Sequence, residues 1–337
     1  MDSVQVVLGI DIGGTNTVFG LVNKNGRCFY KNQIPTEANL PAENLFARLF
    51  NTFNSEVLLK RENYELVGIG IGAPSANIYR GSIENPSNFN WGYVDAVKMV
   101  EQYYALPVLV TNDANVAAVG EMMYGRAKNM DNFILITLGT GLGSGIVVNR
   151  KILYGKDGFA GELGHVIAEE NGRYCNCGRR GCLETYASAT GICRTVFEFL
   201  SMYNDESTLR DYSFNQLTSK HIFNAALKGD KIALLAFEYT GAKLGIALAN
   251  SVAHLNPEAI IIFGGLARSG DLIIGSMKDN LEKNLLPVYK NSVEILTSGL
   301  MESENAAILG AAALIWKEII KSESIVQELK KIGIKTN

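Results

Sequence analysis

A strand, a glycine-rich turn and a second strand occur twice in this sequence. The first copy runs from Val4–Ile10 through Asp11 and a glycine pair to a strand at Thr17–Val22. The second runs from Phe133–Leu138 through a turn with several glycines to a strand that resumes at Gly145–Val148. Sequence identity between the copies is weak, but the repeated pattern predicts one copy in each of two lobes.

Strand and helix patterns alternate along the rest of the chain, which indicates an α/β protein. The chain has 337 residues, 47% of them hydrophobic and 19% charged, so it can bury a large interior but is long for a single core. The further strands that we expect are Leu66–Ile71, Val108–Thr111 and Ala259–Phe263, and the helices are Ala96–Tyr104, Phe237–Leu255 and Ser303–Ile320.

No low-complexity linker marks a boundary between the lobes. We expect residues 1–116 and 303–320 to form a small N-terminal lobe and residues 117–302 a larger C-terminal lobe. The charged segment 321–337 is expected to be a tail, either a solvated helix or a frayed end.

Charge and hydropathy exclude several classes of protein. A formal net charge of -3 argues against a nucleic-acid surface, because phosphate binding usually needs a basic face. The sequence opens on an apolar strand pattern without a basic leader, and it has no uninterrupted apolar stretch long enough to span a bilayer. We therefore expect a cytoplasmic protein with reduced thiols and no membrane or nucleic-acid partner.

The first glycine turn has the residues of a phosphate site. Gly13 and Gly14 allow a tight turn whose backbone N–H groups face an anion, and Thr15 and Thr17 add hydroxyl donors. Asp11 beside a phosphate would need a cation between them, which suggests Mg²⁺. The alternative is a plain type I′ hairpin in which glycine supplies positive φ.

The second glycine turn is neither a Rossmann fingerprint nor a P-loop. A strand rather than a helix follows it, and no Gly-Lys-Ser/Thr ends it. Two turns of one design are suited to hold a polyphosphate. A glycine pair after the strand at Ala259–Phe263 would let a planar ring approach, although an ordinary turn explains it equally well. The candidates in this lobe are Gly139, Thr140, Gly141, Gly143, Gly264 and Gly265.

Polar residues at strand ends and among glycines suit a ligand with many hydroxyl groups. Each carboxylate can accept two hydroxyl protons, and one can act as a general base toward a phosphoryl acceptor. Asp113 follows a strand but also fits the N-cap of the next helix. The candidates are Asn112, Asp113, Glu162, His165 and Glu184.

Three cysteines lie close together downstream of His165. Cys175, Cys177 and Cys182 with this histidine make the Cys₃His set of a structural zinc site. A disulfide loop does not suit a reducing compartment, and the C-x-x-C pair of a redox site is absent. Zinc is therefore the preferred interpretation.

Together these motifs resemble the ROK family of sugar kinases, within the actin/hexokinase-like ATPase superfamily. The similarity runs from Val4 to Lys317, and its most specific element is "CNCGRRGCLE" after "GELGH". The blocks "DIGGT", "NDAN" and "LGTGLGSG" match in order. The resemblance implies a two-lobed, ribonuclease H-like fold with an inter-lobe cleft and a small zinc-bound loop.

The resemblance also assigns roles to the candidate residues. Asp113 is the expected catalytic base and also contacts the sugar, and the two glycine turns bind the phosphates of ATP. Mg²⁺ would accompany ATP, and zinc would be structural. The implied sugar contacts are Asn112, Glu162, His165, Glu184 and, from "NPSNFNW", Asn88.

We expect ATP-dependent phosphorylation of a hexose, with glucose and its 6-hydroxyl as first candidate. A kinase for N-acetylglucosamine, N-acetylmannosamine or another hexose is the alternative, because no motif reports the pocket beside the second carbon. A sugar-sensing regulator that has lost catalysis is an alternative of another class, although it would not need Asp113 as a base. Family habit suggests a homodimer or higher homo-oligomer.

Overall fold

A computed structural model describes residues 3–57, 64–86 and 89–331 of the chain. By their contacts the residues fall into two compact units. Unit 1 comprises Met1–Asn129, Tyr154–Ala160 and Glu302–Asn337, and unit 2 comprises Met130–Leu153 and Gly161–Met301. The lobe boundaries given above stay a prediction.

The described residues form strands and helices in alternation. The strands are β1 (Val4–Ile12), β2 (Asn16–Val22), β3 (Cys28–Pro35), β4 (Tyr64–Gly72), β5 (Ala76–Asn77), β6 (Ser82–Glu84), β7 (Tyr93–Asp95), β8 (Val108–Thr111), β9 (Phe133–Leu138), β10 (Leu142–Val148), β11 (Lys151–Ile152), β12 (Ala259–Phe263) and β13 (Glu294–Thr297). The helices are α1 (Ala42–Val57), α2 (Ala96–Glu101), α3 (Asp113–Tyr124), α4 (Ala189–Met202), α5 (Ser219–Ala226), α6 (Lys231–Leu255), α7 (Asp271–Asn284) and α8 (Ala306–Lys331).

The main sheets of the two units have the same topology. Unit 1 has the strand order β3-β2-β1-β4-β8 and unit 2 has β11-β10-β9-β12-β13. In each sheet the first three strands are antiparallel meander neighbours. The fourth strand pairs in parallel with the central strand on one side and with the last strand on the other. The predicted α/β class is confirmed, and the weak sequence repeat corresponds to a repeated sheet.

Several predicted element ends are wrong. Helix α2 ends at Glu101 rather than Tyr104, and α6 begins at Lys231 rather than Phe237. The second strand of unit 2 resumes at Leu142 rather than Gly145, because Leu142 already pairs with Leu138 across the turn. Helix α8 begins at Ala306 rather than Ser303 and continues past Ile320 as far as Lys331, and within this continuation residues 321–325 are exposed and Val326 is half-buried.

Helix α8 lies directly on the sheet of unit 1 because glycines in the strands leave room for its backbone. A Cβ at Gly9 would overlap the carbonyl oxygen of Ile308, and a Cβ at Gly70 would overlap that of Ala311. The buried indole of Trp316 donates to the carbonyl oxygen of Val22 at 3.0 Å. The helix therefore anchors β1, β2 and β4 together.

Unit 2 has α6 and α7 packed closely against each other. A Cβ at Gly241 would lie 2.8 Å from the carbonyl oxygen of Ile273, and a Cβ at Gly245 would overlap that of Met277. The small residues of α6 therefore face a neighbouring helix of the same unit. By length and composition α6 is apolar enough to cross a membrane, but 56% of its apolar stretch is buried within the protein, as in a core helix.

We predict that Gly70→Ala destabilises the protein by about 3 kcal/mol, because the added methyl group forces α8 away from the sheet. Gly275→Ala in α7 is the matched control: a Cβ there meets no atom within 4 Å. This change should stabilise the protein by about 0.5–1 kcal/mol, since glycine inside a helix costs chain entropy. Denaturant unfolding measures both, and equal stabilities would contradict the packing argument.

Candidate functional site

Unit 1 brings two aspartates to one edge of its sheet. Asp11 lies near the end of β1, and Asp113 follows β8 after a single residue. The two strands run in the same direction because each pairs in parallel with β4. Their carboxylates interact electrostatically. The edge is the usual place for ligand-binding groups in such sheets.

Hydrogen bonds of threonine hydroxyls stabilise the first glycine turn. Gly13 N donates to Asn16 O at 3.1 Å, and the Thr36 hydroxyl donates to Gly13 O at 2.6 Å. Thr17 is fully buried and its hydroxyl shares a hydrogen bond of 2.9 Å with that of Thr36. Gly14 and Thr15 are exposed at the turn. Direct contact of Thr17 with a nucleotide stays a prediction.

The plain type I′ hairpin is wrong for this turn. Such a hairpin needs positive φ at its central residues. Neither Gly13 nor Gly14 is among the glycines with positive φ in the described part of the chain. At Gly13 a Cβ would lie 2.9 Å from the carbonyl oxygen of Asn16, so the tightness of the turn itself favours glycine there.

The N-cap interpretation of Asp113 is also wrong. Asn112 is the N-cap of α3, and its side-chain oxygen accepts from Asn115 N at 2.7 Å. Asp113 is the first residue of the helix, where one carboxylate oxygen accepts from Ala114 N at 2.8 Å. The cap is supplied by the neighbouring amide, so the carboxylate of Asp113 is available for chemistry.

The environment raises the pKa of both aspartates. Desolvation by burial, followed by the charge of Asp113, raises the pKa of Asp11 to about 7. Asp113 is exposed, but neighbouring protein atoms displace part of the water around its carboxyl group, and this desolvation raises its pKa as well. Two such carboxylates fit a divalent cation, which would favour their ionised forms.

The raised pKa of Asp11 predicts a stability that depends on pH. The pKa in the fold lies above the unfolded value of 3.8, so ionisation opposes folding as pH rises toward 7. Asp11→Asn should therefore stabilise the magnesium-free protein at pH 8 by about 2 kcal/mol, a value reduced for solvent screening. The gain should shrink by roughly half or more at pH 5. Unfolding curves at both pH values test this, and a gain that is independent of pH would contradict it.

Unit 2 brings the four predicted zinc ligands together. The ligand atoms of His165, Cys175, Cys177 and Cys182 all lie within 4.8 Å of one another. The Sγ atoms of Cys177 and Cys182 are 3.6 Å apart, and Cys175 Sγ is 3.7 Å from His165 Nδ1. This spacing suits the edges of a tetrahedron around zinc. All five cysteines of the chain are free thiols, so the disulfide alternative is wrong.

The thiols of this cluster have opposite electrostatic environments. Burial, together with the Glu184 carboxylate, raises the pKa of the Cys175 thiol. For Cys177, desolvation is outweighed by hydrogen bonds from Arg179 and the neighbouring thiols, which lower its pKa to about 6. Three thiolates at such short distances repel one another unless a cation is bound, and this fits a metal site.

Glu184 joins the cysteine cluster to the second glycine turn. It lies in a single 3₁₀ turn, Leu183–Thr185, directly after Cys182. Its Oε1 accepts from Cys175 Sγ at 3.1 Å, and its Oε2 accepts from Leu142 N at 3.4 Å. A Cβ at Gly141 would lie 2.6 Å from this Oε2, so a side chain there would displace the carboxylate.

The second glycine turn covers Gly139–Gly141, fewer residues than the motif suggests. Gly139 N donates to Gly141 O at 3.0 Å, and Thr140 is exposed between them. Gly143 lies inside β10, where its N–H donates to the Thr137 hydroxyl at 3.2 Å. Phosphate binding by these residues stays a prediction.

Glu162 is exposed at the start of another 3₁₀ turn, Leu163–His165. This turn is fixed to β10 by Ser144, whose hydroxyl donates to Gly161 O and accepts from Leu163 N. A Cβ at Gly164 would overlap the carbonyl oxygen of Leu142, so the turn lies against the strand.

The two glycines after β12 differ in how strictly their positions require glycine. Gly264 has φ +105°, and a Cβ there would lie 2.6 Å from the carbonyl oxygen of Leu138. Gly265 starts the next 3₁₀ turn, and a Cβ there meets no atom within 4 Å. Asn88, the remaining predicted sugar contact, lies outside the described residues.

Sequence reasoning missed the residues that hold these groups in place. Ser188 caps α4 and donates to Glu184 O at 2.7 Å, while Thr190 donates to Thr140 O at 2.8 Å. The start of α4 therefore supports both Glu184 and the glycine turn. The segment "YASAT" before the helix carries a capping signal that could have indicated this.

Comparison with known proteins decides the family. The sequence model of the ROK family matches residues 7–318. This protein belongs to the ROK family. The ROK chain is 37% identical over 317 residues to a glucokinase of Halalkalibacterium halodurans, covering 91% of this chain and 94% of the relative. It is 30% identical over 310 residues to the xylose repressor of Bacillus subtilis, covering 91% of this chain and 76% of that protein.

A solved structure supports the same assignment. A ROK family glucokinase from Streptomyces griseus, in complex with glucose and AMPPNP, has a TM-score of 0.77 and 31% sequence identity. The match covers 92% of this chain and 98% of that one. The ROK fold predicted from the motifs is thereby confirmed.

We predict that the purified ROK protein contains about one zinc ion per chain and that Cys177→Ser loses most of it, since one thiolate of four ligands is removed. Cys28→Ser is the matched control, because Cys28 lies in unit 1 and hydrogen-bonds to Tyr30 O. Elemental analysis of both variants measures the effect. A wild-type protein without stoichiometric zinc would contradict the site.

Proposed function

We propose that this protein is an ATP-dependent hexose kinase that phosphorylates glucose at its 6-hydroxyl. The proposal rests on the paired aspartates Asp11 and Asp113 at one sheet edge, in a chain that is 37% identical to a glucokinase over most of its length. A protein that only binds sugar has no use for a general base. A kinase needs both a base and a carboxylate for the cation of its nucleotide.

Asp113 is the proposed catalytic base. Its raised pKa makes its carboxylate a better proton acceptor than an aspartate with the ordinary pKa. The carboxylate takes the proton of the 6-hydroxyl as the oxygen forms a bond to the γ-phosphorus and the bond to ADP breaks. The hydrogen bond from Ala114 N holds one oxygen, which leaves the other for the sugar.

Other residues would orient the sugar. Asn112 uses its side-chain oxygen for the helix cap, so its amide N–H groups would donate to a hydroxyl. Glu162, His165 and Glu184 in unit 2 would accept or donate further hydrogen bonds, each fixed by the turns that carry them. The role of Asn88 rests on the family resemblance.

The chain has residues suited to bind the nucleotide and the metal ions. The exposed residues of the two turns, Gly14, Thr15 and Thr140, would offer backbone N–H groups to phosphates, and Gly13, Gly139 and Gly141 would shape the turns. Gly264 and Gly265 would lie near the base, with open space beside Gly265. Asp11 would hold Mg²⁺, which neutralises charge on the phosphates. Zinc at the Cys₃His cluster would stiffen the turns that carry His165 and Glu184.

The expected setting of the enzyme follows from the sequence and family. We propose a cytoplasmic homodimer or higher homo-oligomer whose partners are a hexose and ATP. Size-exclusion chromatography with light scattering would measure the oligomeric state. A monomer at assay concentration would contradict that part of the proposal.

Two other functions have an observation in their favour. Structures in the same fold include a putative N-acetylmannosamine kinase from Listeria monocytogenes, and the Bacillus subtilis xylose repressor is a relative at 30% identity. Assays with ATP and a panel of glucose, mannose, xylose and the two N-acetylhexosamines separate these functions. Glucose should have the highest kcat/KM. Preference for an N-acetylhexosamine would reassign the substrate, and sugar binding without turnover would indicate a regulator.

We predict that Asp113→Asn lowers kcat by at least about 10³-fold, because the amide cannot accept the hydroxyl proton. Glucose affinity, measured by calorimetry, should change by less than about fivefold, since an amide can still form one hydrogen bond. Asp279→Asn, at an exposed position of α7, is the control. A variant that retains wild-type turnover in a coupled assay would exclude Asp113 as the base.

A further inference from the structure

Arg173 lies at the beginning of the cysteine-rich loop but belongs to neither the zinc cluster nor the proposed sugar contacts. Its side chain is only 10% exposed. Its backbone N–H donates to the Tyr186 hydroxyl at 2.9 Å, and its guanidinium lies over the Tyr186 ring, 4.4 Å from the centroid. An arginine buried this deeply needs partners for all of its donors.

The guanidinium donates to five acceptor atoms, which belong to four residues. Nε and Nη2 bind both carboxylate oxygens of Glu198 on α4, with the Nε bond at 2.8 Å. Nη2 also donates to the Thr195 hydroxyl at 3.0 Å. Nη1 donates to the carbonyl oxygens of Thr185 at 2.7 Å and Gly191 at 3.2 Å. All five N–H groups of the fork are used.

These partners surround the turn that carries Glu184. Thr185 is the next residue in the chain, and its carbonyl is held by Arg173 while its hydroxyl donates to Cys182 O at 2.7 Å. Gly191 lies in the first turn of α4, the segment that also supports the second glycine turn. The guanidinium therefore connects the cysteine-rich loop, the Glu184 turn and α4.

We propose that Arg173 is a positioning residue that sets the Glu184 carboxylate for sugar binding, independently of zinc. This inference rests on the proposed function. Zinc would fix the loop through Cys182, on the N-terminal side of Glu184, and Arg173 fixes the chain through Thr185 on its C-terminal side. The carboxylate is thus held from both directions.

The geometry depends on the shape of the guanidinium as well as on its charge. A lysine ammonium has three donors on one atom and cannot form the fork to Glu198 while reaching two carbonyl groups. Arg173→Lys therefore keeps the charge and removes the fixed position of Thr185. Glu198→Gln is a milder change, which retains the arginine but weakens its anchor.

Kinetics of Arg173→Lys test the proposal. We expect KM for glucose to rise about tenfold, with kcat and KM for ATP within about threefold of wild type, because binding of the sugar is lost rather than the chemical step. Zinc content should remain stoichiometric. Glu198→Gln should raise KM for glucose about threefold, and it decides the question if the lysine variant does not fold.

Arg194→Gln is the matched control. Arg194 also joins this loop to α4, but through the carbonyl oxygen of Tyr174 at 2.8 Å, away from the Glu184 turn. Its KM for glucose should be unchanged. An active wild type with unchanged KM in both Arg173→Lys and Glu198→Gln would overturn the positioning role, as would loss of zinc in parallel with loss of activity. A wild type that phosphorylates no sugar would instead overturn the proposed function, and this role with it.

Discussion

The backbone of α8 lies directly on glycines of the unit 1 sheet. The geometry of the sheet edge that carries Asp11 and Asp113 depends on this contact. Gly9 in β1 and Gly70 in β4 have no side chains to keep the helix away. The helix also packs on α3, the helix that begins with Asp113. A shift of α8 would therefore change the positions of Asp11 and Asp113 together, even though neither aspartate belongs to the helix.

The repeated sheet presents different chemistry in the two units. Asp11 precedes the last residue of β1, and the position before the last residue of β9 is occupied by Thr137. Thr137 accepts a hydrogen bond from Gly143 within its own hairpin. The carboxylate beside the second turn is Glu184, supplied by the cysteine-rich loop instead of a strand. The two sheets thus share one topology, but the carboxylate comes from a strand in unit 1 and from the cysteine-rich loop in unit 2.

Patterns within short segments of the sequence predicted the structural features that involve residues close together in the chain. The strands at β8, β9 and β12 and the Cys₃His cluster follow from periodicity and from ligand spacing along a single segment. The support of the site could not be predicted in this way. Arg173 and Glu198 are 25 positions apart, with a loop and a turn between them, and no fixed period relates such partners.

The sequence pattern also could not show which of two neighbouring residues has a given structural role. Asn112 and Asp113 both have side chains that cap helices, and only the backbone conformation shows that the asparagine does so. Similarly, the end of the second glycine turn is set by the pairing of Leu142 with Leu138, which the glycine-rich motif conceals.

The division of the chain into units has a consequence for biosynthesis. Unit 2 is drawn from residues 130–153 and 161–301, so all of it has been synthesised before α8 begins. Unit 1 lacks the helix that covers its sheet until the final segment emerges. During translation the face of the β1–β4 sheet that α8 covers therefore stays exposed until after all residues of unit 2 have been synthesised, and exposed apolar surface of this kind favours aggregation.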